Sequence, residues 1–144
     1  MNHAEKARDL FREGYNCAQS VVGAFHEEMG LSLSEATRLA SSFGGGMGGL
    51  RETCGAVTGM FLVAGMLMGY DDPADYDGKK AHYARIRQLA EQFRQKHSCE
   101  ASVSCRSLNF ASSPCSSCCF FFQSSSCIFN ERTMFNRAFC SASN

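Results

Sequence analysis

Two cysteines stand apart in the first two-thirds of the chain. Cys17 directly follows Asn16, and Cys54 directly follows Thr53. Asparagine and threonine are favoured helix N-caps, so each cysteine is predicted to be the first residue after a cap. Backbone N–H groups and the helix dipole at such a place favour thiolate over thiol, lowering the pKa from about 8.5. A thiolate is the nucleophile of disulfide exchange and also the metal-binding form. A buried cysteine otherwise behaves as a small hydrophobe, but two such placements in a cysteine-poor stretch point to chemistry. Cys105, after Ser104, repeats the polar-residue–cysteine pattern further on.

Between the two cysteines lies a run of glycines, Gly44–Gly49, interrupted only by Met47. Gly44, Gly46 and Gly49 satisfy G-x-G-x-x-G, a pattern that carries meaning only between a strand and a helix. A helix is predicted before this run and no phosphate-loop lysine follows, so nucleotide binding is not expected. The glycines read instead as a bare-backbone loop, with Gly44, Gly45 and Gly46 free to approach Cys54 or a ligand closely. Cys115-Ser116-Ser117-Cys118 is a C-x-x-C, but it lacks the βαβ context of a thioredoxin site and the second pair of a zinc ribbon. His3, His26, His82 and His97 show no ligand spacing and read mainly as exposed helix-face residues. Glu27–Glu28 and Asp71–Asp72 read as solvated turn and cap positions.

The elements that must position the cysteines read as helices. Ala4, Ala7, Leu10 and Phe11 share one face of a helix over His3–Phe11, which Gly14 ends. Asn16 caps a second helix, whose buried stripe is Cys17, Val21, Val22, Phe25 and Met29 and which Gly30 stops. Ser34 is read as the cap of a third, with Ala36, Leu39, Ala40 and Phe43 on its apolar face. Thr53 caps a fourth, running from Cys54 towards Tyr70. Asp72, Pro73 and Asp75 open a fifth to about His97, with Tyr83, Ile86, Leu89, Ala90 and Phe93 buried. The fourth helix is apolar all round, but its run of about 15 residues falls short of the roughly 20 that a membrane span needs. It is expected to be a buried central helix. Its glycine pairs Gly55/Gly59 and Gly65/Gly69 leave the backbone bare for contact with another helix, within the subunit or across a homodimer interface.

The 144 residues suit one domain, and 14 basic against 14 acidic residues leave no electrostatic footprint for nucleic acid. The charged, amphipathic start is unlike a secretory signal and no lipidation motif is seen, so a cytoplasmic protein is expected. Of the nine cysteines, seven lie in residues 99–144, together with twelve serines, seven phenylalanines and neither glycine nor lysine. An odd number of cysteines in a cytosolic chain points to thiol or metal chemistry rather than structural disulfides. The expectation is an all-α, compact helical bundle around the central Gly-rich helix, with an irregular Cys/Ser/Phe-rich tail. Residues 1–110 form the helical domain. Residues 111–144 read as an atypical end, disordered or altered in coding frame.

Asn16-Cys17-Ala18-Gln19-Ser20, Phe43-Gly44-Gly45-Gly46 and Cys54-Gly55-Ala56-Val57-Thr58-Gly59, in that order, resemble the small bacterial C_GCAxxG_C_C family. Its members are described as redox-active proteins with four characteristic cysteines. Ser104-Cys105-Arg106 resembles the third cysteine segment, although Ser107 and Leu108 depart from the usual C-R-E-L-L. Cys127 stands at about the distance expected of the fourth cysteine; Cys118 and Cys119 compete with it. The resemblance covers about residues 1–110.

The resemblance implies redox activity, and an iron–sulfur centre because the domain is similar to one in split-Soret cytochromes. It also implies a redox partner protein or a transporter-associated oxidoreductase. In the leading reading, Cys17, Cys54, Cys105 and Cys127 meet, either to cycle between dithiol and disulfide or to hold the cluster through four thiolates. The alternative is a non-catalytic metal-binding or protein-interaction module that uses the same cysteines for zinc or copper.

Overall fold

A computed structural model describes residues 2–96. The expectations for Cys105, Cys127, the C-x-x-C and the tail fall outside the described residues. Within 2–96 the chain is helical and contains no strand: α1 (His3–Arg12), α2 (Cys17–Ala24), α3 (Leu33–Ala40), a 3-10 turn (Ser41–Phe43), α4 (Gly55–Met68) and α5 (Tyr76–Lys96).

The short α2 lies in the middle, packed against α1, α3 and α4. Every residue of α2 except Gln19 is buried. Val21, Val22 and Val57 are fully enclosed, each contributing about 1.5 to 3 kcal/mol by leaving water. α4 shares the central position through Ala64: Gly55–Met60, Val63 and Ala64 are buried, whereas Met66 is 52% exposed. The expectation of burial along the whole helix is corrected accordingly. No helix among the described residues is long and apolar enough to cross a membrane.

The caps show how sequence sets the starts. Asn16 Oδ1 accepts the Gln19 N–H (2.9 Å) and Gln19 Oε1 accepts the Asn16 N–H (3.1 Å), a reciprocal capping box. The third helix is capped by Ser32, not Ser34. Ser32-Leu33-Ser34-Glu35 is itself a capping-box sequence, and Glu35 Oε2 accepts from both the Ser32 N–H (2.9 Å) and the Ser32 hydroxyl (2.6 Å). On this helix Leu39 faces outward, 48% exposed, and Thr37 is buried, its hydroxyl donating to the Leu33 carbonyl at 2.8 Å. Asp75, rather than Asp72, serves the start of α5: its Oδ1 accepts the Gly78 N–H at 2.8 Å and its carbonyl the Lys79 N–H at 3.0 Å. Asp72 instead forms a local turn with the Ala74 N–H. Leu89 and Phe93 are buried as expected, but Tyr83 is 47% exposed, with Lys79 Nζ 5.8 Å from its ring centroid.

α2 ends at Ala24, six residues before Gly30. The Phe25 and His26 N–H groups bond the Val22 and Gly23 carbonyls in the tighter 3-10 pattern. His3 Nδ1 lies 3.0 Å from the Ala24 carbonyl oxygen, its ring stacks on Phe25 at 4.0 Å, and its Nε2 lies 3.2 Å from Glu28 Oε1. His3 is thus a packed clasp between α1 and the end of α2, not an exposed helix-face histidine. Phe25 and Met29 remain buried although they have left the helix.

Candidate functional site

Cys17 and Cys54 are each 4% exposed. Cys17 is the first residue of α2, as its capping asparagine requires. Cys54 is one position earlier than expected. It is itself the N-cap of α4, with φ −56° and ψ 125°, and neither it nor Thr53 supplies a side-chain cap. A cysteine in this position makes a poor cap by comparison with Ser, Thr, Asp or Asn, so α4 begins without the reciprocal bonds seen at α1, α2 and α3.

The two helix starts converge. A Cβ built on Gly55 would strike the Cys17 sulfur and lie 2.8 Å from the Phe43 carbonyl oxygen and 3.4 Å from the Ala18 nitrogen. Gly55 follows Cys54, and consecutive Cα atoms are about 3.8 Å apart, which holds the Cys17 sulfur within about 8 Å of the Cys54 Cα. One turn further, a Cβ on Gly59 would lie 3.0 Å from both the Ala18 carbonyl oxygen and Val21 Cβ. The Gly55/Gly59 pair therefore seats α4 directly on the first turn of α2. Gly65 has nothing within 4 Å of its Cβ position, and Gly69 is the C-cap. The second glycine pair makes no comparable contact among the described residues.

The loop joining these starts has an uncommon backbone. Gly45, Gly46, Met47, Gly48 and Gly49 all have positive φ, between 61° and 85°, and Arg51 follows at 59°. A side chain in that region costs roughly 1 to 2 kcal/mol, a cost borne here by Met47 and Arg51. The turn is closed by its own backbone: Gly49 N–H to Gly44 O (3.1 Å), Arg51 N–H to Gly45 O (3.2 Å) and Glu52 N–H to Gly46 O (3.1 Å). A Cβ at Gly46 would meet Arg51 Cα at 2.8 Å, and one at Gly44 would meet the Asn16 side chain at 2.6 Å. Asn16 Nδ2 also donates to the Ser41 carbonyl at 3.2 Å. Asn16 was legible only as a cap; its contacts with Ser41 and Gly44 had no signal in the sequence.

Of the residues singled out from sequence, Cys17 and Cys54 thus lie at neighbouring helix starts, with Gly44 against the residue before Cys17 and Gly46 folded against Arg51 and Thr53. Gly45 faces Gly49, 3.2 Å from its Cβ position to the Gly49 Cα. Among the described residues no three His, Cys, Asp or Glu side chains come together as a metal site. Two cysteines are what residues 2–96 offer a metal or a cluster.

No curated protein and no solved structure matches the chain. The sequence model of one family matches residues 15–132 of the 144, under the description "Putative redox-active protein (C_GCAxxG_C_C)". The chain belongs to the C_GCAxxG_C_C family.

Proposed function

We propose that the protein is a thiol-based redox protein whose reactive pair is Cys17 and Cys54, working by dithiol–disulfide exchange. The observation that carries this reading is the meeting of the Cys17 sulfur with Gly55 at the first residues of two helices. Helix starts favour negative charge through their N–H groups and dipoles, whereas burial disfavours it. Both act on these thiols, and the pH dependence of their alkylation measures the balance.

In the exchange, one thiolate attacks a partner disulfide and expels one partner thiolate, giving a mixed disulfide. The second cysteine attacks that bond and expels the other partner sulfur. Two electrons pass to the partner, which ends as two thiols, and a Cys17–Cys54 bond forms.

Arg85 Nη1 donates to the Met68 carbonyl at 3.4 Å, which sets α5 beside the end of α4. An iron–sulfur cluster would need Cys105 and Cys127 as well as the described pair; four thiolates would then give it one-electron chemistry.

The test is mild oxidation of the anaerobically purified full chain, followed by peptide mass spectrometry. A Cys17–Cys54 linked peptide, reversible by dithiothreitol and absent in Cys17→Ser, is expected. Its absence, with both cysteines recovered as alkylated thiols, overturns the pair. Broad visible absorption after iron and sulfide reconstitution, lost in both Cys17→Ser and Cys54→Ser, would move the reading to the cluster.

A further inference from the structure

We propose that the outward face of α4 is the seat of the chain's own segment 107–130, which packs apolar side chains on Leu62 and Met66. The inference stands apart from the redox reading and requires neither cysteine. Leu62 and Met66 are one turn apart, on the same side of α4. Between them Val63 and Ala64 are buried, whereas Leu62 is half-buried and Met66 is 52% exposed. α4 carries no charged residue, and its single polar side chain, Thr58, donates its hydroxyl to the Cys54 carbonyl at 3.3 Å. By contrast α1, α3 and α5 turn charges such as Arg12, Glu35 and Lys80 to water. A helix that is apolar on every side needs cover on every side. The other described residues leave this face of α4 open.

The occupant is marked in the sequence. The two longest stretches without Asp, Glu, Lys or Arg are 53–70, which contains α4, and 107–130. The second holds five phenylalanines together with Leu108 and Ile128, whereas segments that stay solvated are poor in aromatics and rich in charge. Such a stretch gains by burial, and among the described residues α4 is the helix whose open face carries no charge. The family's sequence model runs on to residue 132, so the stretch belongs to the same family unit as α4. The chain also leaves α5 close by: α5 packs on α4, and Phe93, near its end, is buried in the same apolar cluster as Val63 and Ala64. A tethered segment meets the face at an effective concentration of roughly millimolar order, an advantage that a second copy lacks. The contact is with the Leu62 and Met66 side chains, so an alanine at Gly65 remains compatible with it.

The test is amide hydrogen exchange of the full chain, read by peptide mass spectrometry at a low and a high protein concentration. Peptides within 107–130 should exchange more slowly than a free chain, equally at both concentrations. Met66→Asp places a short charged group on the face and leaves the buried side of α4 untouched. Exchange within 107–130 should then rise about tenfold or more, with α1, α2 and α3 unchanged. The reciprocal variant combines Phe120→Ser, Phe121→Ser and Phe122→Ser. It should speed the oxidation of Met66 to its sulfoxide by hydrogen peroxide severalfold.

Free-chain exchange within 107–130 of the parent protein would overturn the proposal, as would protection there that Met66→Asp leaves intact. Protection that grows with protein concentration would also overturn it and give the face to a second copy. If Met66→Asp loses the protection of α1, α2 and α3 as well, the serine variant decides: an unchanged rate of Met66 oxidation overturns the proposal, and a faster one supports it.

Discussion

Gly59 and Gly65 are six residues apart on α4, and replacing each by alanine should change stability in opposite senses. In a helix interior, alanine is favoured over glycine by about 0.8 to 1 kcal/mol. At Gly65 nothing among the described residues lies within 4 Å of the added Cβ, so the propensity gain acts alone and the variant should be more stable by up to about 1 kcal/mol. At Gly59 the Cβ arrives 3.0 Å from the Ala18 carbonyl oxygen and 3.0 Å from Val21 Cβ. The first is backbone of α2. The second is the branching carbon of a side chain that no rotamer change can withdraw. α2 must shift as a body, and overpacking of this kind costs about 1 to 3 kcal/mol. Subtracting the propensity gain leaves Gly59→Ala destabilised by up to about 2 kcal/mol. For a chain of this size about 4 °C accompanies each kcal/mol. Thermal unfolding by circular dichroism should then show Gly65→Ala raised by up to about 4 °C and Gly59→Ala lowered by up to about 8 °C. The sites are about 9 Å apart along the helix, so the double variant should be near additive. A Gly59→Ala variant stabilised as much as Gly65→Ala would refute the account of the α2–α4 contact. A destabilised Gly65→Ala would show that another surface, such as a second copy, packs on the far half of α4.

Asn16→Ala should cost about 1 to 2 kcal/mol, near the upper end for a cap, because the same side chain also holds the Ser41 carbonyl; urea denaturation reads the loss. Glu35 is held below the usual carboxylate range, first by the Ser32 hydroxyl and then by the Ser32 N–H. Its contribution is therefore present above the unfolded value of about 4.3 and is lost as pH falls through the lower folded value. Ser32→Ala should flatten the stability–pH curve between about pH 5 and 3, and an unchanged slope counts against the capping box. Glu27 is likewise held low, first by its hydrogen bond to Lys6. Lys6→Met should raise its pKa by NMR titration, with little effect on melting because exposed pairs contribute at most about 1 kcal/mol.

Much of this architecture was legible because local signals agree with burial. The stripe Cys17, Val21, Val22, Phe25 and Met29 is buried throughout, although the helix expected to carry it stops at Ala24. Periodicity reports which residues face the core, and a run of turns can preserve that facing without preserving the helix. At the end of α2 the Ala24 carbonyl meets the ring of His3, 21 residues away in sequence. No window around Ala24 contains that information. The shift of the α3 cap from Ser34 to Ser32 is different. The capping-box spacing to Glu35 was present in the sequence, and it marks the start of the helix two residues before the one read.

The site was legible in part for a reason that also explains what was missed. Polar-residue–cysteine pairs before apolar helical runs mark helix starts, and glycines at four-residue spacing mark close approach. Together they bring Cys17 and Cys54 to one end of two packed helices. Local spacing could not show that Cys54 replaces Thr53 as the cap, because that follows from how the loop delivers the chain. Five successive residues in left-handed backbone turn it back on itself, and Thr53 is left with its carbonyl against Gly46. The glycines therefore do more than permit contact. Gly44 and Gly46 let the loop fold against Asn16 and Arg51, and Gly55 and Gly59 let α4 land on the start of α2, where an added Cβ would meet the Cys17 sulfur, the Ala18 backbone or Val21. The approach of α4 to Cys17 is thus set by backbone packing at Gly55 and Gly59, and the redox proposal is as sensitive to them as to the sulfurs themselves.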